Sequence, residues 1–316
     1  MIRRQAHSVG SQNEQMTIGI LYAGELGSTF GSQLVGNGFR VVSTLEGRSA
    51  RTGRLCQEAG LTVLDSVGRV LECSEVVISL VPPAAALDLA RNVAGLLQRA
   101  SRKLVYVDAN SISPPTAIKI AEVLDLENVD FVDAAIRGLA SQFKQAGVLY
   151  LSGARAAELA NLFQSTVRVK VVGDTPGQAS ALKMVLSGLP KGLIGLFTET
   201  MLFARTMGLH NEAMEICNEF YPGVMEVVAR MLPTYVQHAA RRSEELRQLE
   251  ETMLLNGVAP RVVAAARQVT ADLAEIEWTK GADVSRWEIA EMMNRIYENH
   301  ILHAPKQQAA VVGRAL

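Results

Sequence analysis

The amino-acid sequence predicts an α/β protein with a doubly wound sheet in its N-terminal half and an all-helical C-terminal domain. From residue 17 to about residue 170, short β-branched runs alternate with longer stretches that carry Ala and Leu, which is the pattern of βαβ units. Several runs are apolar at consecutive positions, as expected for strands buried on both faces of a parallel sheet. From Ala179 onward the apolar residues follow a helical spacing and β-branched runs nearly disappear.

The boundaries of the elements follow from turn-forming residues. The predicted strands cover residues 17–22, 40–44, 76–81, 104–108, 129–133, 148–152 and 167–172. Gly and Pro predict helix breaks at residues 188–190, 208, 222–223, 233, 257–260 and 281. We expect a disordered leader at residues 1–15 and two domains at residues 16–175 and 176–316, joined by a long helix that begins near Gln178.

Composition and charge exclude several classes of protein. Apolar residues make up 48% of the chain and charged residues 20%, which excludes a disordered protein. The 31 basic and 32 acidic residues give a net charge of −1, which argues against a nucleic-acid or membrane-surface partner. The apolar run at residues 76–87 contains two prolines and is too short to span a bilayer. Three cysteines, Cys56, Cys73 and Cys217, predict neither a disulfide framework nor a zinc site, so we expect a cytoplasmic protein.

The first predicted strand runs into a glycine-bearing turn that opens a helix. The segment Tyr22-Ala23-Gly24-Glu25-Leu26-Gly27 has the second and third glycines of the G-x-G-x-x-G dinucleotide fingerprint, whereas Tyr22 replaces the first. Gly24 would let the pyrophosphate approach the backbone, and Gly27 would let the helix pack closely on the sheet. The helix N-terminus would add free N–H donors. The turn therefore predicts a Rossmann-type domain in which Gly24, Glu25, Leu26 and Gly27 bind the cofactor.

The end of the second predicted strand bears on the choice of cofactor. Glu46 lies about 20 residues after the glycine loop, where an acidic side chain usually binds the adenosine ribose of NAD. Arg48 and Ser49 follow directly, and a guanidinium beside a hydroxyl suits the 2′-phosphate of NADP. We therefore expect Glu46, Arg48 and Ser49 at the cofactor, with NADP favoured and NAD possible. For Arg51, solvation of a surface loop is an equally good interpretation.

Six segments carry motifs in a fixed order: IGILYAGELG at 18–27, VISLVPP at 77–83, DANSISP at 108–114, FVDAAIRG at 131–138, GQASALK at 177–183, and EEL with GVAP between 244 and 260. Their order resembles the β-hydroxyacid dehydrogenase family, which includes 6-phosphogluconate dehydrogenase and 3-hydroxyisobutyrate dehydrogenase. The resemblance covers about residues 17–270. The C-terminal half is similar to the branch with a phosphogluconate dehydrogenase-like C-terminal domain, whose substrates are mostly undefined.

The resemblance implies roles for the residues at matching positions. Lys183 is implied to be the general acid/base that exchanges a proton with the substrate hydroxyl, and the alternative is a lysine that snorkels from an apolar helix. Ser187 stands one helical turn later, where the family has a substrate-binding Asn. Val81 and Pro82 are implied to lie beside the cofactor, and Asn110 beside both cofactor and substrate.

The implied substrate loop departs from the family pattern at one position. Arg137 replaces a substrate-binding Ser, and its neighbours Ala135 and Gly138 are also implied to contact the substrate. A guanidinium here would bind a carboxylate, phosphate or sulfonate, so we expect a small anionic substrate. The alternative is that Arg137 points outward and binds nothing.

The function implied by the resemblance is hydride transfer between NADP or NAD and a small 3-hydroxy acid or its keto counterpart. Two alternatives stay open: an imine reductase acting on C=N, and a non-catalytic NADP(H)-binding sensor or scaffold. Lys183 argues against the first, because imine reductases often replace that lysine. The departures at Tyr22, Arg137 and Ser187 motivate the second.

Three further expectations concern the helical half. Its apolar segment at residues 193–203 predicts a homodimer that buries these helices. The charged run at residues 241–245 is interpreted as an exposed helix face. His300 and His303 are interpreted as a solvated helix end rather than a metal site.

Overall fold

The computed structural model describes residues 16–98, 102–138, 140, 143–278 and 287–299. The chain forms two compact units that divide between Lys183 and Met184, here called unit 1 and unit 2. The division lies inside a long helix that begins at Gln178, a few residues after the boundary expected near residue 175. The expected leader lies outside the described residues.

Unit 1 consists of one sheet and the helices that connect its strands. Strands β1 to β8 are Thr17–Leu21, Arg40–Thr44, Thr62–Leu64, Val76–Ser79, Leu104–Asp108, Val129–Arg137, Val148–Ser152 and Arg168–Gly173. Helices α1 to α7 are Glu25–Gly36, Ala50–Glu58, Val67–Cys73, Pro83–Leu97, Pro114–Val123, Phe143–Ala146 and Ala156–Phe163. All seven predicted strands are confirmed. The three-residue β3 was not predicted, because this short, mostly exposed strand lacks the apolar run that marks the others.

The sheet has the strand order β3-β2-β1-β4-β5-β6-β7-β8. Neighbouring strands are parallel from β3 to β6, but β6 and β7 pair antiparallel, with Arg137 opposite Val148. The prediction of a fully parallel sheet is therefore wrong at this position. The connection at residues 138–147 is too short for a parallel crossover, which needs about a dozen residues or more.

Two apolar layers cover the two faces of the sheet. One contains Ile18, Ile20 and Phe30, and in it the Phe30 ring packs edge-on against Phe143 with ring centroids 5.5 Å apart. The other contains Val77 and the apolar residues of α4 and α5. This burial on both faces explains why the central strands are apolar at consecutive positions.

Unit 2 is helical throughout its described residues. Helix α8 spans Gln178–Thr206 and continues into this unit, and α9 to α13 are His210–Phe220, Pro222–Gln237, Ala239–Leu255, Arg261–Ala274 and Ile289–Glu298. Its core includes Ile194, Val228, Leu232 and Leu273. Breaks predicted at residues 208, 222–223 and 257–260 are confirmed, and the break predicted at residue 281 lies outside the described residues.

Two predicted helix breaks are wrong, because Pro190 lies inside α8 and Pro233 inside α10. An internal proline costs about 3 kcal/mol of helix stability, so tertiary contacts must compensate. Near Pro190, a Cβ on Gly188 would lie 2.4 Å from Leu249 Cδ2. Glycine therefore allows α8 to lie close against α11, and packing overrides the local propensity.

Helix α8 is long and apolar enough to cross a membrane by length and composition alone, with a mean hydropathy of 1.2 over an 18-residue window. A single helix of this kind is weak evidence, because core helices of water-soluble proteins have the same properties. In this structure Ile194, Phe197, Met201 and Leu202 of α8 are buried in the core of unit 2. The expectation that the protein has no membrane partner stays a prediction.

Candidate active site

The C-terminal ends of β1, β4 and β5 lie side by side at one edge of the sheet. β1 pairs with β4, and β4 with β5, in parallel register. The strand order reverses between β1 and β4, and such a switch point is where open α/β sheets bind ligands. The loops predicted to hold the cofactor therefore converge at this edge.

The loop after β1 has the geometry of a phosphate cradle. Gly24 is the N-cap residue of α1 and its carbonyl accepts the first intrahelical hydrogen bond at 2.8 Å. The N–H groups of Glu25, Leu26 and Gly27 therefore have no acceptor within the helix. A Cβ on Gly24 would meet no atom within 4 Å, whereas one on Gly27 would lie 3.2 Å from the Tyr22 carbonyl oxygen. Open space beside free N–H donors fits a pyrophosphate.

Tyr22, which replaces the first glycine of the fingerprint, contacts an arginine from the segment that follows β2. The guanidinium carbon of Arg48 lies 4.0 Å from the centroid of the Tyr22 ring, which is a cation–π contact. Arg48 and Ser49 are both exposed after β2. Ser49 is the N-cap residue of α2, but its hydroxyl makes no capping hydrogen bond. Both side chains therefore lie where a phosphate could bind them.

Glu46 and Arg51 already have protein partners. The Glu46 carboxylate accepts a hydrogen bond of 3.2 Å from the backbone N–H of Val67, the first residue of α3. Arg51 forms an exposed ion pair with Glu25. Glu46 thus stabilises the N-terminus of α3, and this contact uses part of the acceptor capacity that a ribose would need.

Asn110 links the ends of β4 and β5. Its side-chain amide donates hydrogen bonds to Ser79 Oγ at 2.9 Å and Asp108 Oδ2 at 3.0 Å, and its Oδ1 accepts one from Val81 N–H at 2.6 Å. The residue is buried. Both amide protons are therefore used inside the protein, and Asn110 positions the Val81–Pro82 loop. Asn110 was predicted to contact both cofactor and substrate. For such a contact only the second acceptor direction of its Oδ1 is available.

Two buried carboxylates lie at neighbouring register positions beneath this edge, Asp108 on β5 and Asp133 on β6. Burial raises the pKa of Asp108 to about 7, although hydrogen bonds from Asn110 oppose the shift and Asp133 adds to it. Burial also raises the pKa of Asp133, against hydrogen bonds from Ser180 and Ser152. Desolvation favours the neutral carboxyl in both cases.

Asp133 anchors the N-terminus of α8. Its carboxylate accepts hydrogen bonds from Ser180 Oγ at 2.7 Å, Ser180 N–H at 3.0 Å and Ser152 Oγ at 3.2 Å. Ser152 Oγ in turn accepts one from Ala179 N–H at 3.0 Å. These bonds fix the first turn of α8 to the sheet and thereby fix the direction in which Lys183 leaves it.

Lys183 lies at the same edge as the β5 loop. Its ammonium nitrogen donates a hydrogen bond of 2.5 Å to Ser111 Oγ, and Ser111 is exposed directly after Asn110. Lys183 was predicted from the sequence, whereas Ser111 was not. The signal for Ser111 was present, since it belongs to the DANSISP segment at 108–114 that carries part of the family resemblance.

The end of β6 presents the predicted substrate residues. Asp133, Ala135 and Arg137 occupy every second position of β6, so their side chains lie on the same face of the strand. On this face Ala135 packs against Ala179 of α8. Arg137 is exposed and forms no ion pair with any described residue. Gly138 follows with φ +133°, and a Cβ on it would lie 3.2 Å from Gly147 Cα, so this turn requires glycine.

In unit 2, Ser187 belongs to a buried polar cluster. Its hydroxyl accepts a hydrogen bond from Lys191, whose ammonium also pairs with Glu245 at 2.7 Å. Lys191 is 5% exposed. Burial lowers the pKa of Lys191, although the Glu245 charge opposes this shift. Burial alone would raise the pKa of Glu245, but the charges of Lys191 and Arg241 outweigh it and lower that pKa.

This cluster corrects one interpretation and qualifies another. The charged run at residues 241–245 is not simply an exposed face, because Arg242 lies 4.6 Å from the Tyr235 ring and Glu245 is half-buried. Ser187, predicted to bind substrate, already has its hydroxyl bonded to Lys191. Sequence reasoning missed Lys191 because its partner lies 54 residues away on another helix.

The described part of the chain contains no group of three His, Cys, Asp or Glu side chains that could hold a metal ion. The three cysteines are free. His300 and His303 lie outside the described residues.

Comparison with known proteins identifies the family. A sequence profile of the NAD binding domain of 6-phosphogluconate dehydrogenase matches residues 17–168, and a domain of unknown function, DUF1932, matches residues 204–273. An uncharacterized 28.5 kDa protein of Methanothermus fervidus is 30% identical over 262 residues, which is 82% of this chain and 100% of the relative. The chain belongs to the 6-phosphogluconate dehydrogenase-like β-hydroxyacid dehydrogenase family.

This β-hydroxyacid dehydrogenase family member is also similar to a solved structure and to a named reductase. A solved protein of unknown function, described as structurally similar to 3-hydroxyacid dehydrogenases, is 32% identical with a TM-score of 0.71, over 82% of this chain and 96% of that one. Glyoxylate/succinic semialdehyde reductase 1 of Arabidopsis thaliana is 23% identical over 63% of this chain and 70% of the relative. Unit 1 is accordingly a Rossmann-type NAD-binding domain, as predicted, and the cofactor class is a nicotinamide dinucleotide.

Proposed function

We propose that this protein is an NAD(P)-dependent oxidoreductase that interconverts a small 3-hydroxy acid and its keto counterpart, with Lys183 as the general acid/base. The observation that carries the proposal is the hydrogen bond between Lys183 Nζ and Ser111 Oγ at the C-terminal edge of the sheet. The helix that bears Lys183 is fixed to this edge through Asp133. A lysine that only snorkelled from an apolar helix would need neither contact.

The residues of unit 1 fit the cofactor. The N–H groups at the start of α1 and the open space beside Gly24 would hold the pyrophosphate, and Val81 with Pro82 would border the nicotinamide side. When bound, the nicotinamide ring supplies or accepts the hydride. Asn110 supports this arrangement by holding the Val81 backbone at 2.6 Å.

Lys183 moves the proton that accompanies the redox change. In the reductive direction its ammonium donates a proton to the carbonyl oxygen of the substrate, and in the oxidative direction its amine accepts the hydroxyl proton. Ser111 Oγ accepts one N–H of Lys183 and so orients the remaining protons.

We favour NADP over NAD. Arg48 is held against the Tyr22 ring and stands beside the hydroxyl of Ser49, which is a suitable pair for a 2′-phosphate. Glu46, the residue that would favour NAD, is engaged with the N-terminus of α3. This engagement weakens the case for a ribose contact at Glu46.

We further propose that the substrate is a small anion held by Arg137. Arg137 lies on the face of β6 that packs against the start of α8, and no carboxylate of the described residues pairs with it. An unpaired guanidinium at the end of a strand is available for a bidentate contact with a carboxylate or phosphate.

We also propose a homodimer in the cytoplasm. Four apolar residues of the segment that predicted it, Ile194, Phe197, Met201 and Leu202, are instead buried inside unit 2. Leu189, Leu196 and Phe203 lie seven residues apart on α8 and are 78%, 60% and 67% exposed. Such a stripe is suited to burial against a second copy. The three free cysteines fit a reducing compartment.

The test is a panel of small 3-hydroxy acids and their keto counterparts, each assayed with NADP(H) and NAD(H) while nicotinamide absorbance is followed. We expect turnover with at least one anionic member and a higher kcat/KM with NADP(H). The panel includes cyclic imines, so that reduction of C=N alone would contradict the proposal. Binding of NADP(H) without turnover of any compound would instead support the sensor.

A further inference from the structure

A cavity of about 320 Å³ lies in unit 2, where the turn between α8 and α9 meets α13. Its lining residues are Arg205, Gly208, His210, Asn211 and Tyr297. Gly208 has φ +72° and makes the turn that joins the two helices. The volume is at the lower end of the range typical of small-molecule sites. None of these residues takes part in the cofactor or substrate contacts described above.

Three buried nitrogen atoms at this cavity have no hydrogen-bond partner among the described residues. They are Nδ1 and Nε2 of His210 and Nε of Arg205. His210 is only 9% exposed, so more than nine-tenths of its surface is buried while it lines the cavity. A buried polar group left without a partner destabilises the folded state. A ligand that bonds these atoms would remove that cost.

The charges around the cavity favour an anion. The guanidinium carbon of Arg205 lies 4.9 Å from the centroid of the Tyr297 ring, and no described carboxylate lies within ion-pair distance of it. The cavity also faces the N-terminus of α9, an eleven-residue helix without a side-chain cap. Its first N–H groups and its dipole attract negative charge. Glu212 in the first turn opposes this attraction, but it is exposed and does not line the cavity.

We propose that this cavity is a binding site for a phosphate group, either free or carried by a small metabolite. The fork of Arg205 would donate to two phosphate oxygens, and the imidazole of His210 and the amide of Asn211 would bond the remaining ones. The N–H groups at the start of α9 complete the set of donors. The proposed site lies within unit 2, and it shares no residue with the proposed cofactor site of unit 1.

The probe for the test is inorganic phosphate, titrated against the full chain at constant ionic strength. The ring proton resonances of His210 are followed by NMR and assigned by their loss in His210→Gln. We expect a saturable shift of these resonances. Arg205→Gln should weaken phosphate binding at least tenfold, whereas Arg230→Gln, which removes an exposed arginine of α10, should change it less than twofold.

A second variant guards against loss of folding in Arg205→Gln. Asn211→Asp places a negative charge at the cavity, and the exposed carboxylate near a helix N-terminus should not destabilise the fold. Phosphate binding should again weaken at least tenfold. The proposal is overturned by a His210 resonance that phosphate does not move, by equal affinity in Asn211→Asp and wild type, or by phosphate binding that depends on Arg48 and not on Arg205.

Discussion

Lys183 tests the proposed chemistry most directly at the scale of single residues. Lys183→Ala removes the proton donor and should lower kcat by about 10²- to 10⁴-fold, while the affinity for NADP(H) stays nearly unchanged because the pyrophosphate contacts are elsewhere. The measurement is steady-state kinetics on a substrate found in the panel, with calorimetry for the cofactor. Lys170→Ala, an exposed lysine of β8, is the matched control. A kcat of Lys183→Ala within threefold of wild type would reject the assignment.

Arg137 gives a prediction about substrate charge. Its guanidinium should hold an anionic group with about 1.5–3 kcal/mol of charge-assisted bonding. Arg137→Ser should therefore raise KM about ten- to a hundredfold for an anionic substrate, at about 1.4 kcal/mol per decade. A neutral analogue of the same shape should be affected little, and kinetics on both compounds make the comparison.

The control for Arg137 is Arg168→Ser on exposed β8, which should leave both KM values unchanged. Equal losses for the charged and the neutral compound in Arg137→Ser would mean that Arg137 shapes its loop and does not contact the anion. Such a result would leave the assignment of Lys183 intact, because the two residues belong to different steps.

The sequence was sufficient to propose individual site residues but not their partners. Gly24, Arg48 and Lys183 stand in local motifs, so their positions along the chain led to these predictions. The Tyr22–Arg48 contact joins residues from the segments that follow β1 and β2, and the sequence alone showed Tyr22 only as the replacement of a glycine. Asn110 was predicted to bind ligand, whereas its amide protons bond Ser79 and Asp108. Such pairings depend on the register of neighbouring strands, which single-residue patterns do not contain.

At the scale of elements, the predictions held where the signal was local and failed where tertiary packing decides. The buried strands carry continuous apolar runs, and these runs specify them. The antiparallel pairing of β6 with β7 follows from the short connection between them, not from either strand. Pro190 and Pro233 lie inside helices, because interhelix contacts outweigh the local cost of proline.

The Lys191–Glu245 pair, which joins α8 to α11, gives a prediction at this scale. Glu245→Gln would leave the buried Lys191 ammonium without its carboxylate, and we expect a loss of about 3–5 kcal/mol in unfolding free energy. The double variant Lys191→Met with Glu245→Leu should lose less than this single variant, since it removes both charges. Urea unfolding followed by circular dichroism provides the measurement.

An exposed ion pair on α11 is the control for this prediction. Glu251→Gln breaks the ion pair with Arg247, in which the Arg247 side chain is 46% exposed and the Glu251 side chain 57% exposed. This variant should change the unfolding free energy by less than about 1 kcal/mol. If Glu245→Gln were as mild as Glu251→Gln, the Lys191 charge would be solvated in the folded protein and the buried pair would not join the helices.

At the scale of the whole molecule, the formal charges nearly cancel, so the pH dependence of stability is set by a few buried groups rather than by general repulsion. Burial raises the pKa of Asp108 to about 7 from its usual 3.8. Between these values the folded state keeps a proton that the unfolded state has lost. The contribution of Asp108 to stability is therefore complete at low pH and is lost as pH rises towards 7.

The predicted effect is a fall of the unfolding free energy between about pH 4 and 7, with about 1.4 kcal/mol per pH unit as the upper limit for one group. Asp133, whose pKa is also raised, adds a change of the same sign. Burial lowers the pKa of His238, which adds a change of opposite sign below about pH 6.5. The quantity to measure is therefore the difference between wild type and Asp108→Asn, from urea unfolding at several pH values.

Asp108→Asn cannot lose a proton, so the stability of this variant relative to wild type should improve from pH 5 to 7 and level off above pH 7. Asp88→Asn, at an exposed position on α4 where the carboxylate is 79% exposed, should track wild type over the whole range. The two variants separate a buried titration from a general effect of removing one negative charge. A constant difference between wild type and Asp108→Asn would mean that Asp108 is ionised throughout this range, with the hydrogen bonds from Asn110 outweighing the desolvation of its carboxylate.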